Sequence, residues 1–404
     1  MTAPKAVLLM VGMSLLATSG CDSGGGSSSG STAGGGGTTT PTPVNNTQPI
    51  QVSAGPAGND VNTLLTSVTV CEPGTNTCQT ISNVLVDSGS VGLRLFGSQV
   101  SLSLPRAADA GGNPIGNCVS FADTSYAWGP VATADIHLAG EIASSVPIQL
   151  IGGTGLSGVP FSCSTGGAAV DVNTLGANGI LGIGLFRQDC GNSCTGASGP
   201  PVYFSCPSSG CVAAAVALQQ QVQNPVWMFP QDNNGVLISL PAIDTAGSQS
   251  TSGSLIFGIG TQSNNSLIGV GVYNTNASGN FTTTFGGVTE TDSFIDSGSN
   301  GYFFQTAAAL GIPTCTVSKD FYCPASPVAY SAVTTGTNGN AITIAFSIAN
   351  ADSLFNTGNT AFNDIGGPNV GGFDLGLPFF FGRAVYIGIE GQSSGGGTGP
   401  YWAY

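Results

Sequence analysis

The sequence predicts a mostly β protein of two lobes, and three observations lead to this fold class. Its 63 glycines and 23 prolines, set among short apolar runs, favour many short strands joined by tight turns. Its 404 residues suffice for two lobes of roughly 150 residues each with substantial cores. One tetrapeptide, Asp-Ser-Gly-Ser, occurs in each half of the chain, at Asp87–Ser90 and at Asp296–Ser299.

The first 21 residues have the pattern of an export signal. Lys5 supplies positive charge, Ala6–Ala17 is an apolar stretch too short to span a bilayer, and small residues precede Cys21. This pattern resembles the bacterial lipoprotein signal, although Thr18 stands where that family more often has Leu. We expect a signal peptide over residues 1–21 with lipidation at Cys21. A plain secretory signal cleaved nearby is the alternative.

Five further segments follow from the changes in composition along the chain. Gly, Ser and Thr dominate residues 22–47, which contain too little apolar surface to fold and predict a disordered tether. We expect an N-terminal β lobe over 48–190, an interlobe segment over 191–258 and a C-terminal β lobe over 259–390. A Gly-rich tail occupies 391–404.

The interlobe segment is expected to contain a helix and a pair of strands. Val212–Gln223 is rich in Ala and other helix formers and is followed by Asn224-Pro225, which predicts a helix that ends there. Val226–Phe229 and Val236–Leu240 flank a turn signal and predict two paired strands.

The cysteines indicate disulfides in an oxidising compartment. Eleven cysteines minus the anchor leave an even ten. Close spacing suggests four disulfides that each close a short loop, and the two remaining cysteines would form a longer bridge. The sequence does not fix which cysteines pair. The suggested pairs are Cys71 with Cys78, Cys190 with Cys194, Cys206 with Cys211, Cys315 with Cys323, and Cys118 with Cys163. A zinc site is the competing interpretation, but the chain has a single His.

The repeated tetrapeptide predicts a pair of carboxylates. Each copy ends a short apolar run and precedes another, so that each reads as strand, tight Gly turn and strand with the aspartate at the turn. Two such carboxylates brought together across a pseudo-dyad share one proton, because like charges that close cannot both ionise. Such a pair polarises a water held between them.

These residues resemble a pepsin-like aspartic protease. In that family each lobe gives one Asp-Thr/Ser-Gly aspartate and a later strand of two apolar residues and Gly. Ile180-Leu181-Gly182 matches that strand in the first lobe, and Leu375-Gly376 matches it in the second. Asp374 departs from the pattern, since the family has an apolar residue there. The resemblance implies a bilobal fold around a central cleft and an aspartic endopeptidase.

The resemblance also implies a role for each residue of the two motifs. Asp87 and Asp296 would bind the attacking water, one as general base and the other as general acid. The residues that would support them are Ser88 and Ser297, which brace the loops across the pseudo-dyad, Gly89 and Gly298, which allow close approach, and Ser90 and Ser299, which orient the carboxylates.

The first lobe departs from the family at the flap and after the first motif, where Val91 replaces a Ser. The flap is expected near Ser120–Ser125, which includes Asp123, and Phe121 stands where the family has a tyrosine. Tyr126 or Trp128 would have to supply the missing polar group. Arg94 replaces a Trp after the first motif. If it points inward it would lower the pKa of both aspartates, and the alternative is a solvated side chain on the outer face.

Composition excludes several other functions. Six Lys and Arg against 20 Asp and Glu give a net charge of -14, so no basic patch is expected for nucleic acid. A serine hydrolase needs a histidine, and His137 lies on an alternating strand pattern. Phosphate-loop and zinc-protease motifs do not occur. We therefore expect no cofactor and no metal.

The sequence leads to three alternatives for function. The first is an exported lipoprotein, anchored to a membrane through its lipid alone, that hydrolyses peptide or protein substrates. The second keeps the fold and binds peptide or glycan in the cleft without turnover. The third is a structural envelope lipoprotein. The chain also resembles an uncharacterised family of bacterial lipoproteins with an Asn-Gly-Val motif, here Asn234–Val236. Oligomeric state and substrate stay open.

Overall fold

The structure is a computed structural model that describes residues 45–121, 123–164, 167–196, 198–369 and 371–404. The predicted signal peptide, Cys21 and residues 22–44 of the predicted tether lie outside the described residues. The first strand begins at Thr47, close to the predicted start near residue 48. Among the described residues, no helix has the length and apolar character needed to cross a membrane.

Short strands make up most of the chain. The first half contains β1 (Thr47–Ser53), β2 (Thr63–Cys71), β3 (Cys78–Asp87), β4 (Val91–Phe96), β5 (Ile115–Ser120), β6 (Tyr126–Leu138), β7 (Glu141–Ile151), helix α1 (Val172–Leu175), β8 (Gly179–Ile183), β9 (Tyr203–Ser205) and β10 (Val212–Ala213). Its 3₁₀ helices are Gly97–Gln99, Gly191–Cys194 and Leu218–Gln220.

The second half of the chain likewise consists mainly of short strands. It contains β11 (Gly235–Leu240), β12 (Thr251–Phe257), β13 (Val272–Asn274), β14 (Phe281–Phe285), β15 (Val288–Ile295), β16 (Tyr302–Phe303), helix α2 (Ala307–Leu310), β17 (Val328–Thr335), β18 (Ala341–Ile348), helix α3 (Ala351–Phe355), β19 (Gly366–Gly367), β20 (Asp374–Leu375), β21 (Arg383–Gly388), β22 (Ser393–Ser394), β23 (Gly397–Thr398) and β24 (Tyr401–Ala403). Its 3₁₀ helices are Val226–Met228 and Leu377–Phe380.

The strands of the described residues form two large sheets, and the larger combines strands of the first lobe with β11, β12, β13, β21 and β24 of the second half of the chain. The first has the order β10-β9-β5-β6-β7-β4-β8-β3-β2-β1-β12-β11-β21-β24-β13 and includes the segment that connects the lobes. The second has the order β18-β17-β14-β15-β20-β16-β19. The main apolar core is continuous beneath both lobes, since Val86 and Leu181 of the first lobe belong to the same buried cluster as Ile295 and Leu375 of the second.

The same three-strand unit occurs in each lobe. In the first, β8 lies between β3 and β4, parallel to β3 and antiparallel to β4. In the second, β20 lies between β15 and β16 with the same directions. Leu85 pairs with Ile180 and Phe294 pairs with Asp374, so the two sequences equated by the resemblance occupy equivalent positions.

The predicted helix over Val212–Gln223 is wrong. Val212–Ala213 pairs with β9 as a strand, and only Leu218–Gln220 is helical, as a single 3₁₀ turn. The buried Gln221 amide donates to the Val216 carbonyl at 3.1 Å and to the Gly191 carbonyl at 2.9 Å. These tertiary bonds fix a non-helical backbone, and they outweigh the weak helix propensity of the Ala-rich run.

The predicted strand over Val226–Phe229 is also wrong. Val226–Met228 forms a 3₁₀ helix, and the Val226 N–H donates to the Asn224 side chain at 3.0 Å. The second predicted strand exists as β11, but it pairs with β12 and β21. The turn signal between the two runs therefore joins a helical turn to a strand and does not close a hairpin.

All five suggested disulfides are confirmed. The bonded pairs are Cys71–Cys78, Cys118–Cys163, Cys190–Cys194, Cys206–Cys211 and Cys315–Cys323.

The Asn-Gly-Val sequence has a structural role at the start of β11. The Asn234 amide donates to the carbonyls of Ile259 and Ser393 at 3.0 Å each and accepts the Ile259 N–H at 2.7 Å. Gly235 has φ +155°, and a Cβ there would lie 2.3 Å from the Ile387 carbonyl oxygen. The motif thus fixes the entry of the chain into the sheet that connects the lobes.

Candidate active site

Asp87 lies at the end of β3, where the first motif makes a tight turn. The Gly89 N–H donates to Asp87 Oδ1 at 2.8 Å, and the Ser90 hydroxyl donates to Oδ2. β8 pairs with β3 up to this point and places Gly182 beside Asp87. Both carboxylate oxygens are therefore oriented by groups of the motif itself.

Asp296 lies in an equivalent turn after β15. The Gly298 N–H donates to Asp296 Oδ1 at 2.7 Å, and the Ser299 hydroxyl donates to Oδ2 at 2.7 Å. The Asp296 N–H donates to the Leu375 carbonyl at 3.1 Å, which ties the turn to β20. The two motifs thus have the same internal bonds, as two copies related by a pseudo-dyad would.

The remaining serine of each motif reaches into the other lobe. The Ser88 N–H donates to Ser297 Oγ at 3.0 Å, and the Ser297 N–H donates to Ser88 Oγ at 2.8 Å. Their hydroxyls donate in turn to the Ile295 and Val86 carbonyls. The motifs, which are distant in sequence, therefore meet face to face.

The carboxyl groups of Asp87 and Asp296 are fully buried and lie close enough to affect each other's ionisation. Burial raises the pKa of both groups, and the charge of Asp87 raises the pKa of Asp296 further. One carboxyl group of the pair therefore stays protonated when the other is ionised, because two adjacent buried negative charges oppose each other. Gly89 makes the approach possible, because a Cβ there would lie 2.5 Å from Asp296 Cγ.

A third carboxyl group stands beside this pair. Asp374 is fully buried on β20, and neither of its side-chain oxygens has a hydrogen bond of ordinary geometry. Burial raises its pKa well above the usual range, and the nearby Ser299 hydroxyl acts in the opposite direction. The charge of Asp374 contributes to the raised pKa of Asp296.

Arg94 is buried, but it does not act on the pair. Its guanidinium forms an ion pair with Asp189 at 2.9 Å and donates to Asn117 at 2.6 Å and Gln149 at 2.8 Å. Its charge is therefore neutralised within the first lobe, and the pKa of Asp87 is raised by burial, not lowered by Arg94. The solvated alternative is also wrong, since the side chain has no exposed surface.

No sequence pattern distinguished Asp189 from other aspartates, so sequence reasoning missed it. The Tyr203 hydroxyl donates to Asp189 Oδ1 at 2.5 Å, and the Asn117 amide donates to Oδ2 at 3.1 Å. The network lies where β5, β9 and the end of β8 converge, which only the fold reveals.

The predicted flap is the hairpin between β5 and β6, and Ala122 in it lies outside the described residues. Phe121 is buried with Val119, Leu85 and Leu175. Leu85 and Asp87 are two residues apart on β3 and share one face, so Phe121 packs in the cluster of the residue that precedes Asp87 on that face. Asp123 is exposed at the tip, where it accepts from the Ser125 N–H at 2.9 Å and hydroxyl at 2.6 Å.

Neither Tyr126 nor Trp128 replaces the missing tyrosine on this face. Both pack into a separate cluster around the Cys118–Cys163 disulfide, and Trp128 makes an edge contact with Phe204 at 5.3 Å between ring centroids. Ala127, which lies between them on β6, packs in the cluster that contains Phe121. Alternation along β6 therefore directs both aromatic side chains away from Phe121.

A cavity of about 80 Å³ adjoins the first motif and spans both lobes. Its walls come from Ser88–Val91, Gly184–Phe186, Gln188, Asp189, Ser278–Asn280, Phe294, Ile295 and Trp402. It lies beside Gly89, which itself contacts the Asp296 carboxyl group. The cavity is thus placed next to the carboxyl pair.

An unpredicted bridge joins the lobes near the second motif. The Asn62 amide donates to the Asn300 and Phe362 carbonyls at 2.8 Å each, and its oxygen accepts the Phe362 N–H at 2.8 Å. Asn300 directly follows Ser299, so the bridge closes the space between the lobes on this side. Asn62 has φ +53° and is 1% exposed.

Within the described residues, one group of three potential metal ligands lies close together, namely Cys315, Cys323 and Asp352. The two sulfurs are bonded to each other, so they cannot act as thiolate ligands.

A family model described as "Protein of unknown function (DUF3443)" matches residues 42–404. The chain belongs to this family. The description of the DUF3443 family gives no activity, and a search of curated proteins found no match.

Solved structures identify the fold of this DUF3443 chain. Among 131 matching chains is the aspartic proteinase from Irpex lacteus, with a TM-score of 0.51 and 14% sequence identity. The match covers 88% of this chain and 96% of the proteinase. At this identity the likeness concerns the fold alone, and it confirms the predicted bilobal, mostly β, pepsin-like architecture.

Proposed function

We propose that this chain is a cell-envelope lipoprotein with a pepsin-like aspartic endopeptidase site, in which Asp87 and Asp296 activate a water to hydrolyse peptide bonds. The observation that carries the proposal is the meeting of two equivalent turns, which reciprocal hydrogen bonds between Ser88 and Ser297 hold together around two buried carboxyl groups. Two carboxyls sharing one proton supply a base and an acid in the same place.

The chemistry follows from this protonation state. Asp87, ionised, takes a proton from the water as its oxygen forms a bond to the peptide carbonyl carbon. Asp296 gives its proton to the carbonyl oxygen, which produces a tetrahedral diol. The C–N bond then breaks as the nitrogen receives the proton held by Asp87, and a hydroxyl proton returns to Asp296. No group other than the two aspartates and water is consumed or required.

Both aspartates have no exposed surface, so a peptide needs an opening of the surrounding structure to reach the pair. The cavity beside Gly89 offers a place for an adjacent side chain. The walls of that cavity are mainly apolar, which favours an apolar residue next to the scissile bond.

The test uses the full-length chain in detergent with denatured casein from pH 3 to 8. We expect cleavage that a pepstatin-type inhibitor blocks and that Asp87→Asn and Asp296→Asn abolish. Asp244→Asn, which removes an exposed carboxylate of the same chain, serves as the matched control and should cleave normally. If the folded wild type cleaves no casein at any pH tested, the proposal is wrong.

A second candidate is peptide binding without turnover. Phe121 supports it, because this side chain lacks the hydroxyl that the protease family places over the pair, and Tyr126 and Trp128 face away. Fluorescent peptides that bind the wild type and stay intact over the whole pH range would establish this function. If the chain neither binds nor cleaves peptide, the result favours a structural envelope protein.

The cellular location is part of the same proposal. The signal-like residues 1–21 and Cys21 support export and lipidation, and the five disulfides are typical of an oxidising compartment. Labelled palmitate should enter the wild type and not Cys21→Ala, and only the wild type should sediment with membranes. Equal labelling of the two proteins would contradict the anchor.

A further inference from the structure

A second cavity, of about 310 Å³, lies between the second sheet and β21. Tyr302 of β16 and Phe346 and Ser347 of β18 line it from the sheet, and Arg383 of β21 is part of its wall. None of the described residues that line this cavity belongs to an Asp-Ser-Gly-Ser motif. The Arg383 cavity is therefore separate from the cavity beside Gly89.

Arg383 brings an unpaired positive charge to this cavity. The described residues contain one ion pair, which joins Arg94 to Asp189, so Arg383 has no carboxylate partner. Asp364 does not act as one, since burial raises its pKa to about 6 and Arg383 does not lower it. The Arg383 Nη1 group donates to the Phe379 carbonyl at 2.6 Å, and the guanidinium lies 4.6 Å from the centroid of the Phe379 ring. These contacts hold the guanidinium in place without neutralising it.

The hydrogen bond of Arg383 leaves one edge of the guanidinium available. Nε and Nη2 share the edge opposite to Nη1, and neither forms a hydrogen bond of ordinary geometry within the described chain. Two N–H groups on one edge match the two oxygens of a carboxylate, and such a charge-assisted pair is stronger than a neutral hydrogen bond. A carboxylate can therefore bind Arg383 without breaking its bond to Phe379.

Hydroxyl groups of the wall add further donors. The Tyr302 hydroxyl lies near Arg383, whose charge acts on it. Thr245 and Ser347 also line the cavity, and their hydroxyls form no hydrogen bond with another described residue. A hydroxyl group donates to a carboxylate oxygen as it does to water. The wall thus offers several neutral donors in addition to one cation.

The rest of the wall limits the kind of anion. Phe346, Pro378 and Phe381 supply apolar surface, and apolar walls with a few polar groups are typical of small-molecule sites. A single guanidinium balances one negative charge. The net charge of -14 opposes the approach of a polyanion, so a phosphate dianion is disfavoured.

We propose that the Arg383 cavity binds a small organic monocarboxylate with an apolar body. Its carboxylate pairs with Arg383, and its body packs against Phe346 and Phe381. The inference goes beyond the proposed hydrolysis, because the site contains neither aspartate of the pair.

The test measures binding of radiolabelled hydrocinnamate to the full-length chain in a non-ionic detergent at neutral pH, by equilibrium dialysis. We expect saturable binding at one site per chain. Unlabelled hydrocinnamide, which has the same body without the charge, should compete at least about tenfold less well. Acetate, which has the charge without the apolar body, should also compete at least about tenfold less well.

Three variants locate the site. Arg383→Met keeps most of the side-chain length, removes the charge and should weaken binding by about tenfold or more. Ala345→Phe, at an exposed residue of the wall, should abolish binding by filling the cavity while Arg383 stays. Arg187→Met is the matched control, since Arg187 donates to the Glu390 carbonyl at 3.1 Å and lies 5.3 Å from the centroid of Trp227, but does not line this cavity. It should bind like the wild type.

Thermal unfolding shows whether each variant is folded, and Ala345→Phe decides the test if Arg383→Met does not fold. Loss of binding in these two variants, with normal binding in Arg187→Met, supports the site. Equal competition by hydrocinnamide, an equal loss in Arg187→Met, or no saturable binding to the folded wild type would overturn it. Inorganic phosphate that competes better than acetate would overturn the ligand class.

The result is independent of hydrolysis, because the probes contain no peptide bond. A wild type that cleaves casein and does not bind hydrocinnamate would overturn the site and leave the proposed function in place. A wild type that binds hydrocinnamate and cleaves nothing would support the site and contradict the endopeptidase.

Discussion

Ser88 and Ser297 form a reciprocal pair, in which the N–H of each residue donates to the hydroxyl oxygen of the other, at 3.0 and 2.8 Å. Each hydroxyl then donates to a carbonyl of the opposite lobe, at 3.2 Å to Ile295 and at 2.8 Å to Val86. Four hydrogen bonds thus fix the relative position of the two aspartates. The fixed relative position of the two carboxyl groups therefore depends on these serines.

Ser88→Ala and Ser297→Ala should each lower the free energy of unfolding. Each change leaves a buried N–H and a buried carbonyl without a partner, which costs about 1–3 kcal/mol. The double variant should lose less than the sum, because the residues belong to one network. Urea unfolding measures all three values.

Ser101→Ala is the control for this pair. Its hydroxyl also donates a single side-chain hydrogen bond, to Gln79 Oε1 at 2.9 Å, but this bond is exposed. Its loss should change stability by no more than about 0.5 kcal/mol. Strictly additive effects of Ser88→Ala and Ser297→Ala would contradict the reciprocal arrangement.

The thermal midpoint should fall as the pH rises from 4 to 7. Burial raises the pKa of Asp60 and Asp364 to about 6 and that of Glu141 to about 7. The native state therefore binds more protons than the unfolded chain above pH 4. The stability from these groups is complete below their unfolded pKa values and is lost as the pH rises through the folded values.

At lower pH the slope should reverse. Hydrogen bonds lower the pKa of Asp109 to about 2, and the pKa of Asp171 is also lowered by its helix-capping bonds. The stabilisation from these two carboxylates is lost as the pH falls below 4, so the thermal midpoint should be highest near pH 4. Calorimetry from pH 3 to 8 measures the thermal midpoint. In Glu141→Gln the midpoint should depend less on pH near neutrality, because unfolding releases about one proton fewer. A maximum at pH 7 would refute the assignment.

Arg94→Met should destabilise the first lobe strongly. The change leaves Asp189 buried without its cation, which costs about 3–5 kcal/mol. Adding Asp189→Leu should recover much of the loss, because the uncompensated charge is removed. Arg106→Met, which changes an exposed arginine, should have little effect. Equal losses in the single and double variants would show that packing, not charge, is responsible.

Asn62→Gly should loosen the connection between the lobes. Glycine accepts the φ of +53°, so the change removes three hydrogen bonds without adding backbone strain. We expect a loss of about 2–4 kcal/mol and faster amide exchange at Phe362. Asn83→Gly, at a similar φ of +55°, is the matched control. Unchanged exchange at Phe362 would argue against the bridge.

The fold and the central pair were predictable because they depend on a repeated local pattern. The turn of each Asp-Ser-Gly-Ser motif is encoded in four residues. The presence of a second copy predicted that the two turns pair. The apolar triplet Ile180–Gly182 and its counterpart at Leu375 then specified the strands that hold the turns. The same comparison identified Asp374 as the residue that departs from the pattern.

The parts that were not predicted depend on contacts between distant segments. The bonds of Gln221 with Gly191 and Val216 override the helix propensity of the Ala-rich run. Asn62 and Asp189 are polar residues without a distinctive neighbourhood in sequence, and their partners are supplied by other strands. For Arg94 the sequence offered two orientations, and the structure shows a third arrangement, an internal ion pair.

Each sulfur–sulfur bond of the described chain closes within a single lobe or its adjoining loop, with separations between 4 and 45 residues. None of these five bonds links one half of the molecule to the other. Opening of the two halves therefore breaks hydrogen bonds and van der Waals contacts alone. Such a movement leaves all five disulfides intact, so it needs neither reduction nor exchange of a sulfur–sulfur bond.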